Sequence, residues 1–82
     1  MKIYDEKSKR VLSNVTIFLT PEEAREMGDA AHDLAAHPQH HHHHVNDKTF
    51  QLEVTLAVYT RENFNEFDEE SRKLIGPELD RD

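Results

Sequence analysis

The chain has 82 residues, no cysteine, and 17 acidic against 10 basic side chains, for a formal charge of −7 with histidine neutral. That length predicts one small domain spanning 1–82. The missing thiols exclude disulfides and thiolate zinc sites, and the acidic balance argues against a basic nucleic-acid-binding surface.

Residues Ile3-Tyr4 and Val11-Leu12 flank the polar stretch 5–10, which reads as a strand, a turn and a returning strand. From Ser13 the chain alternates, with Val15, Ile17 and Leu19 on one side and Asn14, Thr16, Phe18 and Thr20 on the other. That period of two predicts a third strand with one buried face. Thr20-Pro21-Glu22-Glu23 has the spacing of a capping box, with proline at the first helical position. A helix over 21–37 follows, and Pro38 stops it by disfavouring helical geometry in the residue before. Its apolar face is Ala24, Met27, Gly28, Ala31, Leu34 and Ala35, small enough for close approach to a sheet.

Residues 49–60 alternate again, with Phe50, Leu52, Val54, Leu56 and Val58 inward and Gln51, Glu53, Thr55, Ala57 and Tyr59 outward. Such a half-polar strand suits an antiparallel sheet covered on one side. Asn46-Asp47-Lys48 reads as a turn, so the His-rich stretch 37–47 is either an edge strand returning into 49–60 or a loop. Asp68 to Ile75 predicts a short helix held down by Phe64, Phe67, Leu74 and Ile75, and the tail from about 77 to 82 should fray. The fold class expected is α+β: an antiparallel sheet of three or four strands in the order β-β-α-(β)-β, the main helix on one face, then a short C-terminal helix. A parallel crossover between the Val15 and Phe50 strands is the alternative.

His40 to His44 are five consecutive histidines, with His37 and His32 nearby. Engineered affinity tags share this composition, but this run is internal and leads directly into Val45-Asn46-Asp47-Lys48 and a strand pattern, so it is read as native. Neutral imidazole binds Zn, Ni and Cu and takes up a proton near physiological pH. Protonation of all seven histidines would carry the formal charge from −7 to neutral. In a strand, alternate residues share a face, so His40, His42 and His44 are the leading metal ligands. His41, His43 and His37 are weaker candidates, with His32, Asp29 and Asp33 as further donors near the helix end. The plain alternative is a solvated surface that binds metal only because imidazole is abundant.

No HExxH helix, glycine-rich phosphate loop, nucleophile elbow or convergent acid–base set is present, so no enzyme activity and no obligatory cofactor are expected. No apolar run reaches the roughly 20 residues of a membrane span, and the first residues have no apolar leader core. A cytoplasmic setting is the expectation. Phe18, Ala57 and Tyr59 form a candidate apolar contact patch. The function expected first is a small acidic interaction module, self-associating as a homodimer. Zn, Ni or Cu binding for buffering or sensing is second, and an acidic inhibitor or immunity-type protein third.

Overall fold

The computed structural model describes residues 1–49 and 51–79. Its elements in chain order are β1 (Ile3–Asp5), β2 (Arg10–Leu12), α1 (Pro21–Ala36), β3 (His42–Asn46), β4 (Glu53–Ala57) and α2 (Glu69–Leu79). Single 3-10 turns lie at Pro38–His40 and Phe64–Glu66. The architecture is α+β, with the four strands divided into two separate antiparallel hairpins rather than one sheet. Among the described residues, no helix is long and apolar enough to cross a membrane.

The first hairpin pairs Ile3 with Leu12, Tyr4 with Val11 and Asp5 with Arg10. Its turn lacks Asn-Gly; the Asp5 side chain builds it instead, accepting from the Lys7 N–H at 3.1 Å and the Ser8 hydroxyl at 2.7 Å. Lys9 takes the left-handed conformation that closes the turn, at φ 60°. Polar links hold this hairpin to α2: the Tyr4 hydroxyl donates to Glu70, and Lys2 lies 3.2 Å from Glu78. The bond to Glu70 pushes the Tyr4 phenol up to about 12.

The capping box of α1 forms as its spacing predicts. Thr20 Oγ1 accepts from the Glu23 N–H at 3.2 Å, and Glu23 Oε1 accepts from the Thr20 N–H at 2.9 Å. The helix ends at Ala36, with the cap His37 N–H donating to the Asp33 carbonyl at 2.7 Å. Leu34 is its one buried residue, and Met27 and Ala30 are half-buried. Ala24, Gly28, Ala31 and Ala35, expected inward, are exposed. The helix is rolled so that its contact stripe runs through residues 27, 30 and 34. Gly28 therefore meets open space, and close packing does not account for it.

The second hairpin pairs β3 with β4 in the register His42–Ala57, His43–Leu56, His44–Thr55, Val45–Val54 and Asn46–Glu53. The His-rich stretch thus does return into the second strand. Asp47 builds the turn: its carboxylate accepts from the Gln51 N–H at 2.9 Å and the Leu52 N–H at 3.1 Å. That turn consumes residues that alternation had assigned to the strand, so Leu52 is 69% exposed rather than inward. Val54 and Leu56 do lie on the more covered face. Phe50, counted on the same face, lies outside the described residues.

Residues 13–20, expected as a third strand, join neither hairpin and are exposed throughout. Alternation marks a chain suited to pairing, but a strand needs a partner alongside it, and neither hairpin is paired with this segment. A parallel crossover from it is likewise absent among the described residues. At the other end, α2 runs past Gly76 and Pro77 to Leu79, so residues 77–79 are helical where fraying was expected. Pro77 lies inside α2 and has no N–H to give the carbonyl of Lys73, four residues earlier. Ile75 is buried, and the Phe64 ring lies 3.5 Å from a side-chain position at Gly76.

Among the described residues, the buried apolar ones are Leu34, Val45 and Ile75, joined by one buried polar side chain, Asn63. Asn63 Nδ2 donates to the Val58 carbonyl at 2.9 Å and the Pro38 carbonyl at 3.4 Å, and Oδ1 accepts from the Thr60 N–H at 2.8 Å. It ties the end of β4 to the turn leaving α1. Replacing it with alanine removes these bonds, the Pro38 carbonyl keeping only its bond from the His41 N–H, and should lower unfolding free energy by about 1–3 kcal/mol in urea denaturation. Gly28→Ala should act oppositely, raising stability by up to about 1 kcal/mol. That corresponds to a melting-temperature rise of roughly 4–8 °C in calorimetry.

Candidate metal centre

The approach of α1 to β3 follows from a short sequence of backbone constraints. Pro38 ends α1 and starts the 3-10 turn Pro38–His40, which folds back toward the helix end. His41 then takes φ 76°, ψ −58°, and β3 begins at His42. Because His40 lies before this reversal and outside the strand, the strand's alternation does not govern it. His40 lands on the side of His43, not on that of His42 and His44.

Asp33, in the last turn of α1, stands between them. Its Oδ2 accepts from His40 Nδ1 at 2.7 Å and from His43 Nε2 at 2.6 Å. One donor atom from each residue falls within a mutual spread of 4.8 Å. The three side chains are 32–49% exposed, so the cluster opens to solvent. The two imidazoles hold the Asp33 carboxyl down to about 2, the His40 bond being the larger cause. The His37 ring borders the cluster, 5.0 Å from that of His40.

The other histidines point elsewhere. His42 and His44 lie on the exposed face of β3, ring centroids 5.1 Å apart. His44 Nδ1 sits 2.9 Å from both Glu53 Oε1 and Thr55 Oγ1. His41 packs on the Phe67 ring at 4.0 Å, and its Nδ1 meets His42 Nδ1 at 2.9 Å, so one donates and the other accepts. Of the leading trio His40, His42 and His44, the structure brings only His40 into the cluster. His43 joins from the weaker group, and Asp33 from the further donors. His32 and Asp29 are exposed and outside it.

Asp33 and His43 also line an open groove of about 590 Å³ between α1 and β3, together with Glu22, Glu26, Asp29 and Asp47. Its walls are anionic, which raises the local concentration of cations. Two imidazoles and a carboxylate suit borderline divalent metals. A neutral imidazole can move its proton to its other nitrogen, freeing the atom that faces Asp33 to act as a ligand. Remaining coordination positions would then face the solvent.

Of the candidate contact residues, Phe18 is 91% exposed in the unpaired segment, Ala57 is exposed on β4, and Tyr59 is half-buried just beyond it. Phe18 and Ala57 do not come together on neighbouring strands, because the strand expected to carry Phe18 has no partner. The residue that sequence reasoning missed entirely is Asn63, which anchors the His-bearing turn through Pro38. The spacing Thr60-x-x-Asn63, whose Thr60 Oγ1 accepts from the Asn63 N–H at 3.1 Å, was the local sign of it. No family model, curated protein or solved structure matches the chain.

The Asp33 clamp carries a pH signature. Its folded value lies below the ordinary 3.8, so its contribution to stability is present above that value and is lost as pH falls toward about 2. Asp33→Asn should melt at a lower temperature than the parent protein at neutral pH, with the gap closing across that acidic window. Thermal melts followed by circular dichroism at a series of pH values check this.

Proposed function

We propose that this chain is a small transition-metal-binding protein that takes Zn or Ni through Asp33, His40 and His43, in buffering, storage or sensing. The observation that carries the reading is the convergence of three donor atoms within 4.8 Å from a helix end, a turn and a strand. A compositional His tract binds metal through whichever imidazoles reach the ion. A site held by α1, the Pro38 turn and β3 instead selects particular ones. The acidic groove beside it supports the reading by favouring cation approach.

Calorimetric titration with Zn and with Ni tests it. Removing a ligand should cost at least what removing an outer-shell partner costs, roughly tenfold or more in affinity. Asp33→Asn, His40→Ala and His43→Ala should each show that loss, while the His42→Ala/His44→Ala pair stays close to the parent. Saturating metal should raise the melting temperature, by about 2.7 kcal/mol of added stability at a hundredfold excess over Kd. Equal loss in both sets, or weak multi-site binding in the parent, would reduce the run to a flexible chelating tract.

A second reading is an interaction module. It rests on the exposed apolar segment 13–20, whose Phe18 is 91% exposed.

A further inference from the structure

We infer that residues 13–20 are the interface between two copies of this chain, the segment of one copy pairing antiparallel with that of the other about a two-fold axis at Ile17. This rests on the interaction reading and supplies its partner.

The first argument is area. A folded monomer of this mass exposes about 5,100 Å² by the usual surface scaling. The chain exposes 6609 Å². The excess, about 1,500 Å², exceeds the roughly 800 Å² per partner of a standard interface and falls in the range of larger obligate ones. Much of the uncovered apolar surface lies in and just before this segment: Val11 51%, Val15 41%, Ile17 51%, Phe18 91% and Leu19 40% exposed. The chain's own core is correspondingly thin, and small folds without disulfides compensate by association.

The second argument is pairing. Among the described residues, residues 14–19 make no backbone hydrogen bond, so their N–H and C=O groups are free for a ladder. Strand addition to such an unpaired segment is a known docking mode. With Ile17 on the axis, Val15 lies opposite Leu19 of the second copy and Leu19 opposite its Val15. Every residue of the apolar face then meets another apolar residue, and Asn14 meets Thr20 on the other face.

The third argument is charge. A chain at −7 repels a copy of itself over most of its surface. The stretch Ser-Asn-Val-Thr-Ile-Phe-Leu-Thr at 13–20 carries no charge, though a third of the chain is charged. A self-complementary contact confined to it sets no like charges opposite each other.

Sedimentation equilibrium in the presence of a chelator tests this without metal bridging. The parent chain should show a monomer–dimer equilibrium between low and high micromolar concentration. Val15→Lys and Leu19→Glu each strip two apolar contacts per dimer and should weaken association about a hundredfold. The combined Val15→Lys/Leu19→Glu chain sets Lys opposite Glu twice and should regain most of that loss. Both side chains are exposed in the single copy, so circular dichroism should not change. A parent chain that stays monomeric overturns the interface between copies. Dimers that persist in both single variants overturn the interface and leave self-association through another surface. Failure of the combined chain to recover overturns the pairing about Ile17.

Discussion

A single carboxylate oxygen, Asp33 Oδ2, takes hydrogen bonds from two imidazoles and thereby ties the end of α1 to both the Pro38–His40 turn and β3. Among the described residues, Leu34 of α1 and Val45 of β3 are the buried apolar side chains that these elements contribute. Asp33 sets the distance between helix and hairpin, and with it the direction in which the anionic groove opens. Asn63 performs the matching task behind the turn by holding the Pro38 and Val58 carbonyls. The backbone reversal at His41 brings His40 and His43 to one side, their rings edge-on at 6.4 Å, and the Asp33 carboxylate joins the two by accepting from both.

The same pattern recurs through the molecule. Each joint is closed by a short polar side chain acting on nearby backbone: Asp5 in the first turn, Thr20 and Glu23 at the start of α1, Asp47 in the second turn, and Asp68 accepting from the Ser71 N–H at 2.7 Å at the start of α2. Such bonds define local geometry well and add little net stability each, about 1 kcal/mol. A fold assembled this way has well-formed pieces and a small shared interior. That explains how a chain with so many regular local motifs still leaves a large apolar surface in water.

The candidate metal centre and the proposed interface sit at opposite ends of α1. The uncharged segment ends at Thr20, which caps the first turn, while Asp33 lies in the last. A helix of 16 residues spans about 24 Å. The interface pairing therefore need not touch the metal ligands, and each proposal stands or falls by its own measurement. What they share is α1, whose capping box fixes where the uncharged segment ends and whose last turn carries the carboxylate.

The chain itself determined whatever is settled within a few residues. Thr20 to Glu23 and Pro38 bounded α1, because capping and proline geometry act locally. Asp47 announced the turn between β3 and β4, although Asn46, read as part of it, is the last residue of β3, and Asp68 announced α2. Tertiary structure decided the rest. Alternation at 13–20 records a capacity to pair, yet whether a strand forms depends on a neighbour the sequence does not name. The helix's roll left Gly28 facing open space, since a stripe of small side chains does not say which of its edges meets the sheet. The choice of His40 and His43 over His42 and His44 turned on one residue, His41, at positive φ. A rule of alternation holds only while the backbone stays extended, and that reversal is set by how α1, the turn and β3 pack together.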